Sequence, residues 1–320
     1  METKNGSIVG LLSGVFWGLD SVLLGVVLSS VIFMSLGDNG SLYSTFIHDS
    51  ASFVLLFVLI AVRGKIKDFT KVLFSKSGAI IACAALLGGP IGMGSYIISI
   101  KYLGSSMAAG ISAVYPIFGL ILGYLLFKEK LSKQGIVGVI LAVSAIVMMS
   151  ISGIGVIDNL GVGLLAAIGC VVGWGSEAVI VGVALKEDVS AEIALGIRQM
   201  VSGLTYGLII VPFLGYEGVM QIFGNGNLVM LLIGAGVVGT ISYLCYYKAI
   251  GMIGAGRAMG LNISYPAWAF LFQLILTRDF DALHFILVLV IILGSILTSD
   301  NPEELLPFLK YFTKKEIDEV

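Results

Sequence analysis

Two stretches decide the fold of this chain: YIISIKYLGSSMAAGISAVYPIFGLILGYLLFKE (96–129) and YYKAIGMIGAGRAMGLNISYPAWAFLFQLILTRD (246–279). Laid on each other at an offset of 150, they pair Tyr115-Pro116 with Tyr265-Pro266, Tyr96 with Tyr246, Gly104 with Gly254, Ala108 with Ala258 and Gly110 with Gly260. Lys128-Glu129 meets Arg278-Asp279, the same charges in the same order. Eight of the 34 positions are identical, and a skewed apolar composition does not readily supply the Tyr-Pro and charged-pair matches. Further upstream, Trp17-Gly18 answers Trp174-Gly175 at an offset of 157; the seven-residue difference fits a longer first connection around Leu36 to Leu42. A repeat of this length points to two structural halves.

Around the repeat the chain is almost wholly apolar. Of its 320 residues 58% are hydrophobic and 12% charged, with mean hydropathy +1.05. A soluble domain needs about twice that charge to clothe its surface, so lipid covers much of this one. A bilayer span takes about 20 apolar residues. Ten such runs are legible, at 7–30, 41–62, 78–99, 103–127, 134–152, 160–184, 191–213, 228–250, 256–277 and 283–299. They are continuous rather than alternating, which excludes a β-barrel. The 42 glycines suit close helix–helix packing. The fold expected is an all-α integral membrane protein of ten transmembrane helices.

Five spans per half is an odd number, so the second half must sit inverted with respect to the first. The expected division is one repeat over 1–152, an inverted repeat over 157–299 and a tail over 300–320. With the N-terminus inside, 15 of the 18 Lys and Arg fall on the cytoplasmic side. Lys101 and Arg278 fall outside, and Arg198 lies within a span. The positive-inside rule then puts both termini in the cytoplasm. In the tail, Asn301 and Pro302 read as a helix start. Leu305, Leu306, Leu309 and Phe312 would form the apolar stripe of an interfacial cytoplasmic helix. Inverted repeats with a site between them near the midplane characterise secondary transporters.

Five-plus-five spans, with Tyr-Leu-Gly-Ser-Ser (102–106) opening the fourth and Phe-Lys-Glu-Lys-Leu-Ser (127–132) closing it, resemble the drug/metabolite transporter superfamily. More narrowly, several motifs resemble the LicB-type bacterial choline permeases: Lys-Asn-Gly (4–6), Gly-Leu-Leu-Ser-Gly-Val-Phe-Trp-Gly (10–18), Gly-Pro-Ile-Gly-Met (89–93), Ser-Ala-Val-Tyr-Pro (112–116), Trp-Gly-Ser-Glu (174–177) and Ile-Arg-Gln (197–199). The resemblance implies a multi-pass protein of the bacterial cytoplasmic membrane that imports choline for phosphocholine decoration of the cell surface.

The candidate site follows from polar residues where lipid should exclude them. A charge at the bilayer centre costs about 2.5–3.5 kcal/mol on insertion scales, so Asp20, His48, Asp49, Glu177 and Arg198 each need a partner, a wet cavity or a task. Glu177 lies three residues after Trp174, on the same helix face. A carboxylate beside an indole suits a quaternary ammonium. That cation has no hydrogen-bond donor and is held only by charge and by aromatic faces, at about 0.5–2 kcal/mol each. Trp17, Tyr115, Tyr243, Tyr246, Tyr247 and Tyr265 supply further rings, with Trp268 beside them. The Pro after Tyr115 and after Tyr265 equally suits a helix kink. Tyr43, Tyr102, Tyr124, Tyr206 and Tyr216 read as interfacial belts.

Coupling or gating falls to Asp20, His48, Asp49, Arg198 and Gln199. Asp20 is the repeat mate of Glu177, and His48-Asp49 are mates of Arg198-Gln199. Arg198 is expected to neutralise an internal acid, and His48 titrates in the range that lets it shuttle a proton. An acid at position 20 departs from the choline-permease pattern. It would bind a second amine, carry a proton, or face water at the outer mouth; the cost of burying an extra acid favours the mouth.

Other classes fit poorly. A net charge of −2 with no basic tail argues against nucleic acid. Two distant histidines and three scattered cysteines give no metal or disulfide spacing. The glycine runs lack a Walker pattern, so neither a cofactor nor direct use of ATP is expected. The main alternatives are an exporter of metabolites or toxic cations and, from another class, an intramembrane enzyme, for which no catalytic cluster is legible.

Overall fold

A computed structural model of the chain describes residues 2–151, 157–299 and 301–305. Among these residues every regular element is helical. Nine helices are long and apolar enough to span a membrane: α1 (Lys4–Leu28), α2 (Gly40–Val62), α3 (Lys76–Leu103), α4 (Met107–Phe127), α5 (Lys133–Ile151), α6 (Leu160–Lys186), α7 (Ala191–Leu214), α8 (Gly226–Ile253) and α9 (Ala255–Thr277). The tenth apolar helix, α10 (Ala282–Leu297), has 16 residues, about 24 Å at 1.5 Å per residue. It is shorter than the roughly 30 Å of a bilayer's hydrocarbon core. Asp281 fixes its start by accepting the His284 N–H at 2.7 Å, and the chain turns at Thr298.

The elements begin and end where local chemistry dictates. Asn159 and Asn225 cap α6 and α8, each side-chain oxygen accepting the N–H three residues on. Gly104 and Gly254, at φ 81° and 85°, close α3 and α8 and turn the chain straight into the next helix. Each Tyr-Pro pair opens a fresh segment, Tyr115–Phe127 and Tyr265–Thr277. The proline sits in the first turn, where no N–H is missed. Both segments end on a left-handed basic residue, Lys128 at φ 58° and Arg278 at φ 57°. The sequence offset of 150 therefore recurs in the backbone, glycine for glycine and cap for cap.

Packing crosses between the two sets of helices. α1 lies along α8 and α9, whereas α6 lies along α3 and α4; α2 pairs with α7, and α5 with α10. Buried apolar residues of α2, α6, α7 and α8, among them Ile60, Val181, Ile197 and Ile250, fill the end of the bundle nearest Arg63 and Lys186. At the opposite end a smaller core joins Val27, Ile47, Val211 and Leu232. The outer surface is apolar, with Leu125, Leu165, Leu208, Met230 and Ile275 all exposed, as a lipid-facing surface requires. Two helices loosen into π-helical turns, α3 over Leu87–Met93 around Pro90 and α7 over Tyr206–Ile210 just before Pro212.

Two expectations change. Tyr43 and Tyr206, expected to face the membrane interface, are buried inside the protein. Tyr43 donates to the Leu214 and Gly215 carbonyls at 3.3 and 2.8 Å, which the end of α7 leaves without helical partners. In the tail a short helix, Pro302–Leu305, is described; the rest of the expected amphipathic segment lies outside the described residues.

Candidate functional site

Trp17 stands near the middle of α1 and Trp174 near the middle of α6, and the crossing of the two sets of helices brings them together with ring centroids 6.4 Å apart. Between them lies a cavity of about 100 Å³. That is less than the roughly 150 Å³ that admits benzene, so an organic cation held between the indoles also draws on the larger cavity beside them, which shares Trp17 and Trp174. Ten of the residues singled out in the sequence line it: Trp17, Asp20, His48, Asp49, Tyr115, Trp174, Glu177, Arg198, Tyr243 and Tyr246.

Each indole is backed by the tyrosine of a Tyr-Pro pair from the other set of helices. Trp17 stacks on Tyr265 at 4.5 Å, and Trp174 meets Tyr115 edge-on at 6.0 Å. Tyr96 adds a second backing for Trp174 at 5.3 Å. The Trp174 N–H donates to the Gly88 carbonyl at 3.1 Å, which fixes its ring. Tyr243 faces the cavity, but the Arg198 guanidinium already lies 4.8 Å from its centroid. Tyr265, Tyr247 and Gln199 stand behind the lining: Tyr265 supports Trp17, the Tyr247 hydroxyl donates to Glu177 at 3.1 Å, and Gln199 holds Arg198. Trp268 packs against Gly18 and is not part of the cage.

The charges form one chain. Arg198 donates through Nε to Glu177 at 2.9 Å, and through Nη1 to Asp49 at 3.0 Å and to Gln199 at 2.7 Å. Asp49 also contacts His48 Nδ1 at 3.1 Å, and His48 Nε2 lies 3.4 Å from Asp20. Repeat mates thus play matching parts: the acid of α1 (Asp20) meets the second-helix base His48, and the acid of α6 (Glu177) meets Arg198. Arg198 serves two acids where the sequence suggested one. Glu177 is therefore not a free countercharge. Three carboxylates and one guanidinium line the cavity, an excess of two negative charges when His48 is neutral and of one when it is protonated. Asp20 is only 5% exposed in this conformation. The expected position at a watery mouth is not the one observed, because α1 turns Asp20 inward against His48.

Sequence reading missed the polar scaffold behind these groups. The Ser202 hydroxyl donates to Asp49 at 2.6 Å, Gln199 donates to Ser52 at 3.0 Å, and Thr240 reaches Ser52 at 2.6 Å. Ser52 and Ser202 lie one helical turn past His48 and Arg198 and are themselves mates at the offset of 150, a signal that would have found them. Asn262 bridges the Tyr115 hydroxyl, at 3.2 Å, and the Ser13 hydroxyl, at 2.8 Å. Gly88 has a steric role: a Cβ there would overlap the Glu177 carboxylate. Gly88→Ala is accordingly expected to push Glu177 off Arg198 and to destabilise the protein by about 1–3 kcal/mol, read as a lower melting temperature in detergent. A variant melting like the parent would show that Glu177 sits elsewhere.

A second cavity of about 670 Å³ shares Trp17, Leu24, Ser44, Thr45, Met93 and Trp174 with the first. It runs to the helix ends that carry Leu28, Ser41, Ile100 and Ser150. Toward Arg63 and Lys186 the path is filled by the apolar core. The site is thus open to one end of the bundle and sealed from the other.

An apolar helical bundle with a polar cavity between its helices, accessible from one end, is the architecture of a multi-pass membrane protein. The chain belongs to the EamA-like transporter family, whose model matches residues 4–151 and 161–300. It is 30% identical over 297 residues to Protein LicB of Haemophilus influenzae (strain ATCC 51907 / DSM 11121 / KW20 / Rd), covering 92% of this chain and 97% of that one. A solved crystal structure shares the fold, with a TM-score of 0.71 at 15% identity over 92% of this chain and 97% of its own. The family match and the likeness to LicB point to a transporter of a small molecule, set in the lipid bilayer.

Proposed function

We propose that the chain is a secondary transporter that imports choline or a related quaternary amine by alternating access. One observation carries this reading: indole and phenol faces share a mid-span cavity with a buried cluster that has more carboxylates than cations. A quaternary ammonium offers no hydrogen-bond donor, so ring faces and net negative charge are the means of holding it. Trp17, Trp174, Tyr115 and Tyr246 present the rings, with Tyr243 shared with Arg198 and with Tyr247 and Tyr265 in support. Glu177, Asp49 and Asp20 provide the charge, and Arg198, His48 and Gln199 hold the acids in place and link the two sets of helices.

The architecture proposed is ten spans in two inverted five-helix repeats, 1–152 and 157–299. Support comes from the crossed packing, the recurring backbone breaks and the family match over both halves. The Ser7 and Ser299 hydroxyls meet at 2.8 Å, so the first and last apolar helices begin and end on one side, as an even number of crossings requires. Counting α10 as a span meets that condition. The basic residues favour placing that side, and both termini, in the cytoplasm. The vestibule then faces outward, the state in which an importer loads. An inside-negative potential of 100 mV favours entry of a monovalent cation by about 2.3 kcal/mol, roughly fiftyfold at equilibrium. Purified protein in liposomes should exchange labelled choline for unlabelled choline inside, saturably, and should accumulate it when such a potential is imposed. Liposomes that show neither exchange nor accumulation would refute the reading.

A further inference from the structure

Asp20 Oδ1 and His48 Nε2 are both buried without a hydrogen-bond partner, although their side chains are only 7% and 9% exposed and both line the central cavity. They face each other as an ion pair at 3.4 Å, longer than the roughly 2.7–3.2 Å of a well-formed hydrogen bond. A buried polar atom that is poorly matched costs free energy, and a donor brought to the same carboxylate from the cavity would offset part of that cost. Gly239 makes the room: a Cβ there would lie 2.5 Å from His48 Nε2 and 3.1 Å from Asp20 Oδ2. Ser44 and Thr45 complete a polar end of the cavity facing the aromatic one. Along α1, Asp20 follows Trp17 by three residues, about 4.5 Å of rise. That distance separates a group bound on the indole from one bound by the acid.

We propose that Asp20 and His48 form a specificity subsite for a hydrogen-bond donor carried by the cationic substrate, a hydroxyl two carbons from the quaternary nitrogen. The proposal rests on the quaternary-amine reading and deepens it. The trimethylammonium group occupies the rings, and the hydroxyl donates to the Asp20 carboxylate, which His48 Nε2 holds from the other side. The same carboxylate repels a substrate whose hydroxymethyl group is replaced by a carboxylate. The acid at position 20 thus selects an amino alcohol over both an amine with no polar arm and an amino acid betaine.

The test compares three probes by titration of the purified protein: choline, tetramethylammonium and glycine betaine. Parent protein should bind choline at least tenfold more tightly than tetramethylammonium and glycine betaine least of all, since a hydrogen bond to a charged group is worth roughly ten- to a hundredfold. Asp20→Asn removes charge felt equally by both cations, so the choline-to-tetramethylammonium ratio isolates the donor contact. That ratio should fall about tenfold, while glycine betaine gains affinity. Gly239→Ala, which crowds His48 and leaves every ring in place, should lower the same ratio. An unchanged ratio in both variants would overturn the subsite while leaving the quaternary-amine reading intact. Parent protein that binds neither cation would overturn that reading, and the subsite with it.

Discussion

Arg198→Ala is expected to destabilise the protein more than any other single change in the site. Arg198 is buried and holds Glu177 and Asp49 at 2.9 and 3.0 Å. Its loss would leave Glu177 without a cation and Asp49 with only His48 and Ser202 as partners. Breaking one buried pair typically costs about 3–5 kcal/mol, and this change breaks two. The melting temperature in detergent should fall by roughly ten degrees, with Tyr243 losing the cation over its ring as well. Arg198→Lys should recover part of the loss, since an ammonium keeps the charge without the planar fork that serves both acids. Adding Glu177→Gln and Asp49→Asn to Arg198→Ala should recover more stability, because the orphaned charges are then gone. Arg198→Ala melting with the parent would show that the acids find other partners.

The second large effect is on ligand affinity. Trp17→Ala and Trp174→Ala each remove one indole face and open the wall behind it. A desolvated cation–π contact is worth up to about 2 kcal/mol, so each change should weaken choline binding by roughly tenfold or more. Trp174→Phe should retain part of the affinity: it keeps a ring face but gives up the hydrogen bond to Gly88. Trp268→Phe, at a side chain whose Cβ packs against Gly18 and which does not line the cavity, should leave affinity near the parent value. Equal losses at all three tryptophans would indicate a general packing effect rather than a cage.

The fold was legible because lipid leaves few solutions. Spans of about 20 apolar residues stand out in a chain with so little charge, and the offset of 150 paired Gly104 with Gly254 and Lys128 with Arg278. That the backbone breaks at these residues was not legible, Gly104 lying inside the expected span 103–127. The length of α10 was less legible, because apolarity continues to the end of the run whereas the helix stops where Asp281 and Thr298 set its limits. The site was legible through repeat mates: Trp17 with Trp174, Asp20 with Glu177 and His48 with Arg198 all meet at one cavity. Which acid pairs with which base depends on how α2, α6 and α7 cross, and periodicity does not encode that. The burial of Asp20 also escaped, since its cost had to be weighed without knowing that His48 stands 3.4 Å away. Ser52, Ser202 and Asn262 went unnoticed because small polar residues are common in membrane helices, where they draw attention only beside the groups they hold.

The central claim is that the paired indoles and the acid-rich cluster bind a quaternary ammonium. Two of the three tryptophans line the cavity, so intrinsic tryptophan emission of the purified protein, titrated with choline, reads the claim directly. Emission should change saturably with choline. The change should be weaker with ethanolamine, which lacks the methyl groups that cover the ring faces, and absent with an aromatic amino acid. Emission unchanged by choline at any concentration, with no competing heat signal by calorimetry, would contradict it.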